Sequence, residues 1–253
     1  MLPSLVPEDL TLDGPSPQTH LEIVEILDEA AAEMSQEESH RKGVKPNVLI
    51  ELLCRNTASG APAMVQMYVQ IPVTGTEWQP PSKRARQAVD VVPPRARKCM
   101  DAHGQLRDIH CEHAPALIGS RQTTQGPGGW VPGGYVLYIA LTTVREEDGG
   151  MVALSTGGIG EGAFYEMSPA ARAQVRLAFK AAFTSFGRHR IVPSTMWVPS
   201  RLFWDPVKQK IFFVGDFKRI EREWEWDDEE FRRWRISEEA YERVMRYRQR
   251  YTR

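Results

Sequence analysis

Three stretches of this chain carry groups that could do chemistry. Cys99, His103, His110, Cys111 and His113 put five side chains capable of binding zinc close together. Structural zinc takes four ligands in recurring pairs such as C-x2-4-C or H-x3-5-H. The spacing here is irregular and no second cysteine pair follows, so these residues are expected to be ordinary helix-end and loop residues, and no metal site is expected. Ser155 to Gly162 is rich in glycine, as phosphate-cradling loops are. Such a loop needs a strand before it and a helix directly after it, whereas the next helix signal is Ser168-Pro169; a flexible connection is expected. The third stretch, Val198 to Arg219, reads as a β-hairpin. It has an apolar run at Leu202, Phe203 and Trp204, a turn from Asp205 to Lys210, and a second run from Ile211 to Val214 that ends at Gly215-Asp216-Phe217.

The elements that position these groups follow from periodicity. From Thr19 the residues Leu21, Ile23, Val24, Ile26, Leu27 and Ala31 form a broad apolar stripe with Glu22, Glu25, Glu29 and Glu33 opposite, which predicts a helix. No Lys or Arg precedes Arg41, so this arm is acidic, and its face is read as solvated or as docking on a basic surface. Residues 1 to about 17 are Pro-rich and acidic and are expected to be poorly ordered. Asn47 to Leu53 and Met64 to Val73 read as strands, Thr74 to about Pro94 as a loop, and Arg95 to about Ile109 as a helix. Tyr135 to Val144 reads as a buried strand followed by the charged Arg145 to Asp148. Ser168 as N-cap, Pro169 in the first turn and Gly187 past the end mark a long helix. Its apolar face carries Val175, Phe179 and Phe183, and a basic stripe carries Arg172, Arg176 and Lys180. A last helix is predicted from Ser237 to about Arg250.

The hairpin and its exit resemble the catalytic segment of protein kinases, in the compact form common among kinase-like proteins of filamentous fungi. That form reads roughly H-x-D-x-x-P-x-N-x-L-W-D, then I-D-F-x-R, and Pro199, Trp204, Asp205, Asp216, Phe217 and Arg219 match it. The resemblance covers roughly residues 47 to 219. It implies an α+β, protein-kinase-like two-lobed fold with a truncated C-terminal lobe. Residues 1–42 would be an acidic N-terminal arm with one helix. Residues 43–144 would be a small β-rich lobe. Residues 145–253 would be a helical lobe with a degenerate catalytic hairpin and a C-terminal helix. It further implies that Tyr138, Ala140 and Thr142 lie on the hinge strand, whose backbone could bind an adenine ring.

The charged parts of the catalytic machinery are missing from this pattern. Ser194 stands at the His position, Met196 at the general-base Asp, and Arg201 at the magnesium-binding Asn. Only Gly43 precedes the first strand where a glycine loop belongs. The strand lysine is replaced by Gln66 or Gln70, and the helix glutamate position falls near Cys99. A methionine cannot accept a proton, and an arginine repels Mg²⁺. Asp216 alone is left as a metal or nucleotide position. The expected function is therefore that of a catalytically inactive, pseudokinase-like binding or scaffold protein. It would need no cofactor and would take a protein partner or a small molecule in the inter-lobe cleft. Two alternatives remain. One is a phosphotransferase with displaced groups (Asp216, Asp205, His189). The other is an unrelated α+β interaction protein.

Composition sets the outer bounds. At 253 residues, 42% hydrophobic and 26% charged, the chain can bury a core of its own. A formal net charge of -1 gives no general attraction to nucleic acid or anionic membrane. The three cysteines make no disulfide framework and fit a reducing compartment. No signal peptide or lipidation motif is read at the N-terminus, and no stretch approaches the ~20 apolar residues that span a bilayer. An intracellular protein, cytoplasmic or nuclear, is expected. Lys83-Arg84 and Arg95 to Lys98 supply a bipartite basic pattern over 83–98.

Overall fold

Aliphatic and β-branched residues dominate Asn47–Asn56 and Pro62–Gln70, and both runs become strands. The computed structural model describes residues 6–7, 9–13, 19–143, 151–194 and 199–251. The chain is mixed α/β and divides into two compact units, residues 1–100 with 116–143 and residues 101–115 with 144–253.

The first unit holds β1 (Asp9–Leu12), β2 (Thr19–Ala32), α1 (Gln36–Lys42), β3 (Asn47–Asn56), β4 (Pro62–Gln70) and α2 (Pro81–Arg84). The first turns of α3 (Pro94–Asp108), β5 (Leu117–Thr124) and β6 (Tyr135–Thr142) complete it. Its strands form one antiparallel sheet in the order β1-β2-β3-β4-β6-β5. Asp13 and Ser120 exchange backbone hydrogen bonds of 3.1 and 2.9 Å, which bring the end of β1 to β5 and curl the sheet into a barrel. Gly119 permits this approach, because a Cβ there would sit 2.7 Å from the Asp13 carbonyl oxygen. Leu12, Leu21, Ile50, Leu52, Val65 and Met67 fill the inside. Tyr68, Leu137, Ile139 and Leu141 face outward, where Ala96 of α3 joins them.

Two expectations fail in this unit. The stretch from Thr19 is a strand, not a helix. It pairs with β3 from Leu21 to Ala32 and contains irregularities between Ile23 and Glu25 and between Ile26 and Asp28. Each bulge resets the two-residue alternation, so the apolar residues recur at uneven spacing that imitates a helical stripe. β-Branched Thr19, Ile23, Val24 and Ile26 favour the strand. The second failure is the N-terminus. Within the span expected to lack order, Asp9–Leu12 is a strand with Leu10 and Leu12 buried, while residues 1–5, 8 and 14–18 lie outside the described residues. The expected loop from Thr74 contains α2 and a 3-10 turn at Ala85–Gln87.

The second unit holds β7 (Val152–Ala153), α4 (Ala163–Glu166), α5 (Pro169–Arg188), β8 (Ile191–Pro193), β9 (Leu202–Asp205), β10 (Lys210–Phe213), β11 (Phe217–Arg219), α6 (Glu229–Arg233) and α7 (Glu238–Tyr251). α5 starts as its sequence predicts, with Ser168 Oγ accepting from Ala171 N at 3.2 Å. The predicted hairpin is present as β9 and β10, with Ile211 opposite Trp204 and Phe213 opposite Leu202. These four residues enter the core with Val175, Phe179, Phe183 and Phe186 of α5. Phe203, opposite Phe212, lies on the other face and is only half-buried.

The basic stripe of α5 is engaged by carboxylates of its own unit. Arg172 is buried, forms an ion pair with Glu238 of α7 and lies 3.6 Å from the centre of the Tyr241 ring. Arg176 joins the same carboxylate at 2.8 Å. Lys180 lies 3.7 Å from Asp228. The glycine-rich stretch makes two backbone contacts: Thr156 N donates to the Glu161 carbonyl at 3.2 Å, and Gly160 O accepts from Arg248 at 2.9 Å.

Candidate functional site

In the first unit, alternation along β4 turns Ala63, Val65, Met67 and Val69 into the barrel and Gln66 and Gln70 outward. Gln66 is buried there, with the Cys99 thiol of α3 donating to its Oε1 at 3.7 Å. The strand position and the helix position singled out in the sequence thus meet, and both are neutral. Gln70 has a structural task instead. Its Nε2 donates to Gln87 O at 2.7 Å and its Oε1 accepts from Val89 N at 3.1 Å, while Gln125 donates to its carbonyl at 2.8 Å. These bonds pin the segment between α2 and α3, and each answers a backbone group that burial would otherwise leave unpaired.

Tyr138 and Ala140 point into the barrel core. β6 lies between β4 and β5, so the peptide groups at both positions sit within two strand ladders. Thr142 is exposed at the strand end, where its backbone N donates to Ala116 O and its Oγ1 accepts from Ala116 N, both at 2.9 Å. The charged segment Arg145 to Asp148 lies outside the described residues.

In the second unit the apolar run continues one residue past β10 to Val214, and Gly215 turns the chain with φ +113. Asp216 follows and is buried, and its carbonyl accepts from Ser194 N at 2.8 Å. Phe217 begins β11, which pairs with β8. Against this corner lies His103, fully buried, with its ring edge-on to Phe217 at 5.3 Å and Nδ1 donating to the Pro115 carbonyl at 3.3 Å. Burial holds the imidazole pKa below its ordinary value, although the carbonyls of Pro115 and Gly215 and the Asp216 carboxylate pull the other way. Buried His103 and buried Asp216 therefore meet electrostatically at this corner. The sequence reading set zinc aside and left His103 as an ordinary helix-end or loop residue, without foreseeing its place in the core. The signal it missed is helical: Cys99 and His103 are four residues apart, and that face continues to buried Leu106.

The remaining candidates are dispersed. Arg201 ends the short 3-10 turn Pro199–Arg201 and is half-buried, with its carbonyl accepting from Val214 N at 2.9 Å. Met196 lies outside the described residues. Asp205 Oδ1 accepts from Val207 N at 3.0 Å and Lys208 N at 2.9 Å, so it builds the hairpin turn. His189 stands exposed at the end of α5. Among the described residues no three His, Cys, Asp or Glu gather as a metal site. Of the former zinc candidates, Cys99 meets Gln66, His103 meets Pro115, and His113 bonds the Ile211 carbonyl at 3.1 Å. No helix among the described residues is long and apolar enough to cross a membrane.

No protein-family model matches the chain, and no curated protein does. Solved structures that resemble it are kinases and pseudokinases. The Cydia pomonella granulovirus kinase PK-1 is 13% identical with a TM-score of 0.43, matching 79% of this chain and 55% of its own. The BubR1 kinase domain is 7% identical with a TM-score of 0.38, matching 86% and 52%. The complex of Neurospora crassa PAN2 (WD40-CS1) with PAN3 (pseudokinase and C-term) gives 11% and 0.39, matching 85% and 42%. The chain spans about half the length of these structures. At such identities and scores the likeness assigns no residue a role.

Proposed function

We propose that this protein is a catalytically inactive, kinase-like binding protein that neither transfers phosphate from Mg-ATP nor holds ATP firmly. The observation that carries the reading is the Gln66–Cys99 contact. Where the kinase resemblance calls for a strand lysine held by a helix glutamate, an amide and a thiol meet in a buried, uncharged contact. Phosphoryl transfer depends on positioning and charge neutralisation, and that ion pair orders the α- and β-phosphates. Element order within each unit supports the resemblance: β3, β4, α3, β5 and β6 in sequence in the first, and hairpin β9–β10 leading into Gly215-Asp216-Phe217 in the second. On this reading the fold is the kinase-like one with a shortened helical part. Met196 and Arg201 stand at degenerate catalytic positions, and the protein works by binding a partner.

The displaced-catalysis alternative needs Asp205 and His189 as replacements, and Asp205 is already committed to the backbone of its turn. A sensitive ATPase and autophosphorylation assay decides between the two. The expected result is no turnover above a buffer blank with Mg²⁺ or Mn²⁺. Turnover that disappears in Asp216→Ala would overturn the proposal in favour of the displaced-catalysis reading.

A further inference from the structure

The open end of the first unit's barrel has features that the nucleotide question does not use. β1 covers β2 only from Thr19 to Glu22, so among the described residues β2 is a free edge beyond that point. The two bulges re-aim its side chains. Directly opposed residues of an antiparallel pair share a face, and Glu29 now opposes Ile50 while Ala31 opposes Val48, both interior residues of β3. A carboxylate therefore stands on the inner face of the barrel wall. There a groove of about 520 Å³ opens, with Val48 and Ile71 as an apolar floor and Glu29, Glu33, Trp78 and Trp130 around it.

Trp78 is 92% exposed. Its loop is nevertheless firmly built. Thr76 Oγ1 donates to Val73 O at 2.7 Å, Gln87 bonds both Val73 N and Thr76 Oγ1 at 2.9 Å, and Thr74 N donates to Met34 O at 2.9 Å. A rigid loop that displays a whole indole to water has the character of a binding anchor, since an exposed aromatic of this size contributes nothing to the core. The groove carries three carboxylates, on Glu29, Glu33 and Glu77, against one guanidinium, on Arg84. Arg84 Nε is buried there without a partner. Along the free edge that leads to the groove, Val24 and Leu27 are each 48% exposed, each followed by a carboxylate residue, Glu25 and Asp28.

We propose that this barrel mouth and the β2 edge bind an extended, basic segment of a partner protein. The segment would pair with the open edge of β2 and seat one arginine or lysine among Trp78, Trp130, Glu29 and Glu33. The indoles attract the cation through their ring faces, the carboxylates supply charge complementarity, and strand addition satisfies the free backbone groups. The acidic edge rejects acidic segments and nucleic acid.

The test uses the full chain and capped twelve-residue peptides of alternating valine and arginine, read by tryptophan fluorescence and fluorescence anisotropy. Expected is saturable binding at micromolar peptide, weakened at least tenfold by Trp78→Ala and by Glu29→Lys/Glu33→Lys, with melting temperatures unchanged. The control Glu223→Lys, exposed in the other unit, should leave binding as it was. N-methylation of alternate peptide bonds on the pairing side should weaken it as well. Several results would overturn the proposal: no saturation, equal binding of a valine–glutamate peptide, equal loss in Glu223→Lys, or indifference to Trp78→Ala. Tetramethylammonium binding as tightly as the peptide would instead assign the mouth to small organic cations.

Discussion

The two units treat their buried polar groups differently. In the first, the polar side chains under α3 and its preceding loop are amides and a thiol: Gln66, Gln70, Gln125 and Cys99. In the second most are charged or titratable: Arg172 with Glu238, Glu230 with Arg233, and His103 beside Asp216. Amides bond backbone groups and fix loops without carrying charge. Ion pairs cost desolvation and repay it only when both partners stay. The strand–helix contact of the first unit is of the uncharged kind, with the Cys99 thiol donating to Gln66.

The largest expected effect strikes the second unit's core. Val175→Asp places an unpaired carboxylate among Phe179, Phe213 and Trp204, at a cost of several kcal/mol, and should abolish the cooperative melt. A soluble variant with an unchanged melting temperature would refute the packing described for α5 and the hairpin.

Next comes a charge placed in the neutral unit. Gln66→Lys puts an ammonium into a fully buried site and should destabilise by roughly 2–4 kcal/mol. Adding Cys99→Glu should recover part of that loss, because the two positions touch. Additive losses in the double variant, read from denaturant midpoints, would show that they do not.

Removing a charge from the other unit should cost less. Glu238→Ala leaves the buried Arg172 without its carboxylate, and Glu238 is itself partly exposed, so about 1–3 kcal/mol is expected. Arg172 keeps its bond to the Met167 carbonyl at 2.7 Å and its contact with Tyr241. A loss that vanished in high salt would mark the pair as a surface one.

The smallest effect is on pH dependence. The folded-state pKa of His103 lies below the unfolded value near ~6.5, so the unfolded chain binds the proton first. Stability from this group is therefore full above ~6.5 and is lost as pH falls through the folded value. His113 is shifted the same way by burial, so His103→Gln should flatten the acid limb only in part. An unchanged slope of unfolding free energy between pH 7 and 5 would contradict the neutral, buried assignment.

Much of this was legible in the sequence because local rules and tertiary context agree. Ser168, Pro169 and the Val175–Phe179–Phe183 spacing announce α5, and the Asp205 turn announces the hairpin. β2 was not legible, because its bulges break the alternation on which strand recognition relies. The Gln66–Cys99 contact was half legible: each position could be singled out, but only folding joins residues so far apart in the chain. The His103–Phe217 contact was not legible, because a polar residue taken for a helix end or loop gives no sign that it packs against a distant aromatic ring.

A thermal-shift titration with ATP, with and without Mg²⁺, tests the central claim most directly. Stabilisation by a ligand follows RT ln(1 + [L]/Kd), so millimolar ATP should stabilise a competent kinase site by about 2–3 kcal/mol. A protein whose strand–helix contact is neutral should shift hardly at all, with or without the metal. A clear Mg²⁺-dependent rise in melting temperature that Asp216→Ala abolishes would contradict the account.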